Sequence, residues 1–518
     1  MKFLLIREVS EVNGDISQGI GLIGTIAKDE ATVRILDNNS FHITHPIKSI
    51  INKVREFDPD VIGFHIHTHN MYKTGELIRE IQRHFPHICL IGGGIHAFFE
   101  PEEILDLGTH IVAVEEADLT INPLLRSLKG AVNRDKPFKI NSDLSEDLAK
   151  IPGLIYFDDD AVKRVNTGRP NFITDLDVLP FIDHSLFNLE DYIFKPSDGH
   201  YVTNTLVTQR GCPFSCSFCQ GVDEDGAYKM LRENSPEYRL SYMKYLVEQH
   251  GHNYVLFYDA NFTVNNKKTL EFCNLVIESG LNKTVKFFCE TNVKIKIDKK
   301  LANAMSEAGC TDLALGIERL THEAQTQILK VTDYNLIKER VNNINSAGIR
   351  ITANALIGFP FDTVATIEEE ERRFYGLLDQ VDSIMVSVVL PLPGTKVYEE
   401  TGKKQWYIGE EYGKWRSPFY QRAYHYVDGN AWHANYFDLD DQTMAAIRGM
   451  RERMHAKSIE RVNNRFISFL FFFVEILAKG SLFLFNISPV AERVVFEPIE
   501  WCYDYLWKFM VQTYYVSR

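Results

Sequence analysis

The sequence of 518 residues predicts an α/β protein: a doubly wound domain, then a partial (β/α)6 barrel, then a mostly helical C-terminal region. Short apolar strands alternate with amphipathic helices over residues 3–114, and six further strand candidates alternate with helical patterns over residues 203–389. Residues after about 400 are rich in aromatic side chains and mostly helical in pattern. Because the chain is too long for one core, we expect four segments: a first domain over 1–135, a linker over 136–200, a barrel over 201–400 and an aromatic region over 401–518.

The first alternation is typical of a Rossmann-like sheet. Its strand candidates are Phe3–Ile6, Val61–Ile66, Ile88–Ile91 and Ile111–Val114. Helical patterns cover residues 49–57 and 75–84, and Pro101 opens another. In this architecture, ligands bind beyond the carboxyl ends of the strands.

The predicted linker holds a hairpin, with strands over 153–157 and 161–165 around Asp158–Asp160. The barrel follows as a TIM-like unit of six strands: Thr205–Thr208, Tyr254–Tyr258, Lys286–Cys289, Asp312–Gly316, Arg350–Ile357 and Ser383–Val389. Reactive groups in such barrels lie at the carboxyl ends of the strands.

Composition narrows the classes of protein. The hydrophobic content of 45% is that of a globular chain, and the net charge of −14 argues against a nonspecific nucleic-acid binder. Eight cysteines and a start without the features of a secretory signal lead us to expect a reduced, cytoplasmic protein.

Residues 466–485 have about the length of a membrane span, but Glu475, Lys479 and Gly480 interrupt them. A buried or interfacial helix fits this pattern better than a span does. The arginines and lysines just upstream are compatible with peripheral contact at the inner face of a membrane. Packing on the barrel or in an oligomer interface is the alternative.

Three cysteines follow the first barrel strand in a C-x3-C-x2-C pattern: Cys212, Cys216 and Cys219. Three such thiolates can hold three irons of a 4Fe–4S cluster and leave the fourth iron open. Structural zinc normally needs four ligands, and the nearest further cysteine, Cys273, lies in a helical pattern. The pattern therefore favours a cluster over zinc.

This loop, with Gly211 before it and Phe218 inside it, resembles the cluster loop of radical S-adenosylmethionine (SAM) enzymes. In that family the open iron binds SAM, and one electron from the cluster releases a 5′-deoxyadenosyl radical. Further segments resemble the family's motifs on successive strands: Phe257–Phe262, Leu315–Arg319, Ala355–Pro360 and Leu390–Lys396. The resemblance implies SAM-binding roles for Phe218, Asp259, Glu318, Gly358 and Pro360, with Asp259 meeting the amino group.

The segment Ile91–Ile104, with its Gly-Gly-Gly-Ile-His-Ala run, resembles the cobalamin-binding domain that precedes many radical SAM barrels. The resemblance implies cobalamin as a cofactor, and it implies cobalamin-binding roles for a set of residues near two strand ends: Thr68, His69, Asn70, Gly92, Gly93, Gly94 and His96. It also implies an external flavodoxin or ferredoxin as the electron donor.

Two departures from the family pattern bear on this site. The D-x-H-x-x-G motif that supplies an axial histidine in some cobalamin proteins is absent, and residues 114–118 read Val-Glu-Glu-Ala-Asp where many relatives have Gly-Glu-Gly-Glu. His65, His67 and His69 alternate and so face one side, where they line a crevice or, less expectedly, bind a metal.

Three hypotheses follow. The first is cobalamin-dependent methylation of an unactivated carbon in a small or lipid-like substrate, and the second is a cyclisation, ring rearrangement or oxidation on the same architecture. The third is a non-enzymatic scaffold at a membrane surface, supported by residues 466–485 alone. The aromatic side chains Trp406, Trp415, Tyr424 and Trp432 suit either a flat substrate or a plain core.

Overall fold

The computed structural model describes residues 1–8, 16–38, 45–194, 201–221, 230–401 and 437–460. Two compact units divide the chain, Met1–Ile193 and Phe194–Arg518. Each unit is built on one sheet of seven strands. The aromatic residues predicted over the barrel mouth and the apolar segment 466–485 lie outside the described residues.

The sheet of the first unit has the order β2-β1-β3-β4-β5-β6-β7. Its strands are β1 (Lys2–Arg7), β2 (Thr32–Asp37), β3 (Val61–His65), β4 (Cys89–Gly93), β5 (Ile111–Ala113), β6 (Leu154–Asp158) and β7 (Lys163–Asn166). The first five are parallel, which confirms the doubly wound prediction. The predicted hairpin forms as β6 and β7, and it extends this sheet antiparallel to β5.

The helices of the first unit are α1 (Gln18–Ala27), α2 (Ile47–Phe57), α3 (Met71–His84), α4 (Ile95–Phe99), α5 (Pro101–Asp106), α6 (Ile121–Leu128) and α7 (Ser142–Leu148). Apolar side chains from α1, α6, α7 and one face of the sheet form a buried core, to which Leu5, Ile91 and Leu124 belong. The strand order reverses between β1 and β3. A crevice for a ligand is expected at this reversal, beyond the carboxyl ends of the strands.

The sheet of the second unit has the order β16-β15-β14-β13-β12-β9-β8. Its strands are β8 (Ile193–Phe194), β9 (Tyr201–Leu206), β12 (Tyr254–Phe257), β13 (Lys286–Asn292), β14 (Cys310–Glu318), β15 (Arg350–Ile357) and β16 (Ser383–Val388), and a separate hairpin pairs β10 (Gln209–Arg210) with β11 (Arg232–Glu233). The six predicted barrel strands pair in parallel and in chain order. The partial barrel is therefore confirmed.

Helices connect these strands: α8 (Pro236–His250), α9 (Asn266–Ser279), α10 (Lys299–Glu307), α11 (His322–Gln327), α12 (Tyr334–Ser346), α13 (Val364–Tyr375), α14 (Lys396–Glu400) and α15 (Asp441–Glu460). Along β13 and β15, fully buried residues such as Cys289 and Ile351 alternate with half-buried ones such as Glu290 and Asn354. Since successive side chains of a strand point to opposite faces, the buried set packs under the helices and the half-buried set faces the barrel interior. None of the described helices combines the length and apolar character that a membrane span requires.

Candidate active site

The three cysteines lie on the loop that follows β9 and β10. Gly211 turns the chain into the loop with a φ of +83°, a conformation that favours glycine. Backbone hydrogen bonds join Ser217 to Ile328 and Val397, and the Gln220 side chain donates to the Pro393 carbonyl oxygen at 3.0 Å. The loop is thus held against the segments that follow β14 and β16.

Two of the sulfur atoms receive N–H donors. Asn261 Nδ2 lies 3.1 Å from Cys212 Sγ, and the Gly221 backbone N lies 3.4 Å from Cys219 Sγ. Burial raises the pKa of Cys216 to about 11, and the nearby Lys330 ammonium opposes that rise. Buried thiols of this kind ionise when they bind a metal that compensates the charge.

These features fit an iron–sulfur cluster. Cluster sulfurs are stabilised by N–H donors, and this loop provides them. Among the described residues, no three histidine, cysteine, aspartate or glutamate side chains are placed to hold a single metal ion.

Glu318 lies at the carboxyl end of β14, where the family resemblance implies a SAM contact. Its φ is +67°, at an irregularity in the pairing of β14 with β15. Lys330 Nζ donates to Glu318 Oε1 at 3.0 Å, and both side chains are largely buried. A Cβ on Gly316 would lie 2.9 Å from Glu318 Oε1 and 3.0 Å from Lys330 Nζ, so the glycine leaves room for this ion pair.

The Gly358–Pro360 turn lies beside the cluster loop. The Phe218 and Phe359 rings meet edge to face at 6.0 Å, and both belong to one apolar group with Ile328 and Val389. Gly358 has a φ of +84°, and a Cβ there would lie 2.7 Å from Val388 Cγ1. Phe218 and this turn therefore form one apolar surface next to the cysteines, as adenine binding would require.

A buried ion pair fixes the turn. Asp362 Oδ2 accepts from the backbone N of Gly358 at 2.7 Å, from that of Phe359 at 2.9 Å, and from the Arg319 guanidinium. Arg319 is fully buried, and its guanidinium lies 5.2 Å from the centre of the Phe359 ring. The ion pair therefore holds the turn in place, because Asp362 binds two of its backbone N–H groups and Arg319 lies over the Phe359 ring.

Asp259 is bound to the chain that leads into the cluster loop. Its carboxylate is fully buried and accepts from Thr208 N, Thr208 Oγ1 and Gln209 N at 2.5–2.9 Å. Burial raises its pKa, while the Arg239 charge and these donors act in the opposite direction. Asp259 therefore fastens the start of the cluster loop, and its contact with the SAM amino group stays a prediction.

In the first unit, three of the predicted cobalamin residues support the backbone. Thr68 Oγ1 lies 3.0 Å from His96 Nδ1, and His96 Nε2 lies 3.1 Å from Glu103 Oε2. Asn70 is fully buried and donates to the carbonyl oxygen of His65 at 3.0 Å. The side chains of Thr68, Asn70 and His96 are thus buried and paired within the chain, and the cobalamin-binding roles of these residues stay predictions.

Other predicted residues lie at and just beyond the carboxyl end of β3, next to the reversal of strand order. His65, His67 and His69 are half-buried, and the residues between them are buried. The rings of His65 and His67 meet edge to face at 4.4 Å. Burial and the Arg7 charge lower the pKa of His65 to about 3, which keeps its ring neutral. His65 Nδ1 is buried and makes no hydrogen bond to another described residue.

The glycine run at the end of β4 has two roles. Gly92 packs closely, since a Cβ there would lie 2.3 Å from Ile104 Cγ2. Gly94 has a φ of +108°, and its Cβ would clash with Ile66 O at 2.6 Å. Gly93 is half-buried and has open space, with Ala113 O as the nearest atom at 3.6 Å. Gly92 and Gly94 therefore permit close packing within the chain, and Gly93 alone of the three has open space, where a ligand could approach the backbone.

The departure from Gly-Glu-Gly-Glu has a structural consequence. Glu115 has a φ of +63°, so this position keeps the left-handed backbone that a glycine would adopt. Its side chain is buried and pairs with Arg169 at 2.6 Å. The carboxylate is thereby held by that ion pair at the first unit's strand ends.

Sequence reasoning missed four residues of the barrel site. Asn261 lies two residues after Asp259, and Arg319 directly follows Glu318, so their positions within motifs were a usable signal. Asp362 follows the Gly-x-Pro motif by two residues. Lys330 has no local signal, because it reaches Glu318 across a turn and a short helix.

Comparisons with known proteins agree with both sites. A model described as the radical SAM superfamily matches residues 206–373, and a model described as a B12 binding domain matches residues 16–125. The two matched ranges coincide with the barrel and with the doubly wound unit. The cluster loop lies inside the first range, and the histidine and glycine crevice lies inside the second.

Named relatives differ in their reactions. An anaerobic magnesium-protoporphyrin IX monomethyl ester cyclase of Cereibacter sphaeroides is 26% identical over 73% of this chain and 59% of its own length. An uncharacterised methyltransferase of Pyrococcus horikoshii is 26% identical over 77% of this chain and 83% of its own length. The chain thus spans about three fifths of the cyclase.

Among solved structures, a radical SAM methyltransferase, TsrM from Kitasatospora setae, with cobalamin and a [4Fe-4S] cluster bound, is similar in fold. Its TM-score is 0.59 at 16% identity, with 77% of this chain and 74% of that chain covered. At this identity, the likeness supports the arrangement of a doubly wound unit followed by a partial barrel.

Proposed function

Since this chain is a radical SAM protein with an N-terminal cobalamin-binding domain, we propose that it uses a 4Fe–4S cluster, SAM and cobalamin to methylate an unactivated carbon of a small or lipid-like substrate. The observation that carries the proposal is the cluster loop at the carboxyl edge of the barrel, in a chain whose first sheet also has a reversal of strand order, where a ligand is expected to bind. When bound, the cluster supplies the electron for reductive cleavage of SAM, and cobalamin supplies the methyl group.

The barrel residues have assigned tasks in this proposal. Cys212, Cys216 and Cys219 hold the cluster, and the Lys330–Glu318 pair offers both charges beside it for the amino-acid end of SAM. The apolar surface of Phe218 and the Gly358–Pro360 turn receives the adenine. Asp259 and Asp362 keep the loop and the turn in place.

In the first unit, the crevice at the strand reversal holds cobalamin. The half-buried side chains of His65, His67 and His69, together with the open space at Gly93, support this assignment. Burial keeps His65 neutral, so its ring can accept or donate a hydrogen bond without carrying charge. Thr68, Asn70 and His96 hold the backbone of this crevice.

The barrel interior adds information on the substrate. Glu290 faces it from β13, and Asn354 faces it from β15 with a buried Oδ1 that has no partner among the described residues. Ala314 and Gly316 of β14 lie between them in the sheet. Two polar side chains on this face favour a substrate with a hydroxyl or amine group beside its apolar part.

Partners are part of the same proposal. The electron donor is an external flavodoxin or ferredoxin in the cytoplasm. Residues 466–485, which lie outside the described residues, contact the inner membrane face peripherally and bring the enzyme to a lipid-like substrate.

A second reaction is also a candidate. The cyclase among the relatives favours a cyclisation or oxidation by the same architecture without methyl transfer. The two reactions use the same cluster residues and differ in the fate of the substrate radical, which either receives a methyl group or is converted without one.

The test is anaerobic turnover of the reconstituted protein with SAM, a reductant and cobalamin, with cell extract as the substrate source. Methyl transfer gives S-adenosylhomocysteine together with 5′-deoxyadenosine, and a product heavier by one CH2 unit. Cyclisation or oxidation gives 5′-deoxyadenosine without the homocysteine product. Formation of neither compound, or formation that persists in Cys219→Ala, would contradict the proposal, and the scaffold hypothesis would then lead.

A further inference from the structure

Asn261 lies in the short segment between β12 and α9, two residues beyond the buried Asp259. Its side chain is buried, and its Nδ2 atom lies 3.1 Å from Cys212 Sγ. Among the described residues it is the side-chain donor to a cluster cysteine, whereas Cys219 receives a backbone N–H. Only the Asn261 contact can therefore be removed by substituting a side chain.

The other end of the amide fixes its orientation. Asn261 Oδ1 accepts a hydrogen bond from the backbone N of Asn292 at 2.8 Å, at the end of β13. A backbone N–H can only donate, so the amide oxygen must face Asn292. The NH2 group must then face the Cys212 sulfur, and the hydrogen bond follows from the fold.

We propose that Asn261 raises the reduction potential of the cluster by donating this hydrogen bond to Cys212. The proposal rests on the proposed function in one respect, that Cys212 holds an iron. Reduction adds one electron, taken from the external flavodoxin or ferredoxin, and spreads negative charge over the irons and sulfurs. An N–H directed at a ligating sulfur stabilises that added charge more than it stabilises the oxidised form.

The position of Asn261 gives this contact a direct route into the site. Asp259 fastens Thr208 and Gln209, which precede the cysteines, while Asn261 contacts the first cysteine itself. The segment that follows β12 therefore positions the cluster loop through Asp259 and sets the charge environment of the Cys212 sulfur through Asn261. The role of Asn261 is that of a positioning and tuning residue, since it acts on the cluster through Cys212.

The test is the midpoint potential of the reconstituted cluster, without SAM, in an anaerobic titration followed by electron paramagnetic resonance. Asn261→Asp keeps the size and the oxygen that faces Asn292, and it replaces the NH2 with an oxygen that repels the sulfur. We expect at least a tenfold lower ratio of reduced to oxidised cluster at a fixed potential, which corresponds to about 59 mV for one electron.

The matched control is Asn266→Asp. It introduces the same charge at the first residue of α9, where the side chain donates to the Lys296 carbonyl oxygen and contacts no cysteine. We expect its potential to stay close to that of the parent protein. An equal fall in both variants would overturn the proposal, because it would reduce the effect to general charge.

A second variant and a second measurement cover poor cluster uptake by Asn261→Asp. Asn261→Ser is neutral and too short to reach the sulfur, and we expect a smaller fall in the same direction. In the parent protein, asparagine labelled with 15N in its side chain should give a nitrogen coupling to the reduced cluster in pulsed measurements. An unchanged potential in cluster-loaded Asn261→Ser, or no such coupling, would overturn the proposal.

The failure of this inference and the failure of the proposed function look different. A parent protein that takes up iron and sulfide and cleaves SAM, but whose potential does not depend on Asn261, contradicts the tuning role alone. A parent protein that forms no cluster contradicts the proposed function, and the tuning role falls with it.

Discussion

Replacing Asp362 with asparagine tests whether a buried charge pair holds the turn next to the cluster loop. Asp362 Oδ2 accepts from two backbone N–H groups and from Arg319, and both side chains of the pair are fully buried. In Asp362→Asn, the amide oxygen can take the place of Oδ2 and still accept from both backbone N–H groups and from Arg319. The NH2 group takes the place of Oδ1, beside Thr366 Oγ1, and the negative charge that compensates Arg319 is lost.

The expected magnitude follows from the burial of Arg319. Removing one partner of a buried ion pair leaves the other charge uncompensated, at a cost of about 3–5 kcal/mol. The Phe359 ring still stabilises part of the guanidinium charge, so we expect a loss of stability in the lower half of that 3–5 kcal/mol range, at about 3–4 kcal/mol. For a domain of this size, the midpoint temperature should fall by roughly 10 °C.

The assay is thermal and urea unfolding of the purified protein, with Glu369→Gln as the control. Glu369 pairs with Arg372 and Arg373 on the surface of α13, where exposed ion pairs contribute little to stability. A loss in Asp362→Asn as small as that in Glu369→Gln would refute the reasoning, because it would mean that the turn does not depend on the buried pair.

Two further predictions concern the barrel. Gly316→Ala should push apart the Glu318–Lys330 pair, since the new Cβ lies 2.9 Å from Glu318 Oε1. We expect SAM to bind about tenfold more weakly in equilibrium dialysis. An unchanged affinity would contradict a role of this ion pair in SAM binding. Burial and the charges of Glu318 and Asp259 raise the pKa of Glu290 from 4.5 to about 7. A raised carboxyl pKa makes the folded state bind more protons than the unfolded state, so the parent protein loses stability as pH rises from 4.5 to 7. Glu290→Gln should therefore gain relative stability over that window, by at most about 3 kcal/mol, and a difference independent of pH would count against it.

The alternation of strands and helices made most of the fold predictable. Six barrel strands and the hairpin of residues 153–165 follow local patterns of apolar residues, and they pair as expected. The strand Thr32–Asp37 escaped notice, because it is an edge strand with half-exposed and charged residues that reads as a loop. Its place next to β1 creates the reversal at which the first unit's crevice lies.

Predicting the site from the sequence succeeded where motifs carry the chemistry. The cysteine loop, Phe218, Glu318 and the Gly358–Pro360 turn are brought together in the structure. Their order on successive strands made this foreseeable, because the carboxyl ends of parallel strands share one edge of a barrel.

The sequence did not reveal the partners of side chains that bind the chain itself. Asp259 was expected to meet SAM, yet backbone donors of Thr208 and Gln209 surround it, and no local pattern reveals such donors. His96 shows the same limit, since burial and Thr68 direct its ring into the fold. Lys330 was missed for the opposite reason, because its partner is distant in sequence.

The most direct test of the central claim is cofactor content after anaerobic reconstitution with iron, sulfide and hydroxocobalamin. The account predicts four irons per chain, from the 4Fe–4S cluster, and one corrin that survives desalting. It further predicts that Cys212→Ala loses the iron and keeps the corrin, because the two cofactors bind to different units. A parent protein with a cluster but no retained corrin would contradict cobalamin-dependent methylation and leave the second reaction in its place.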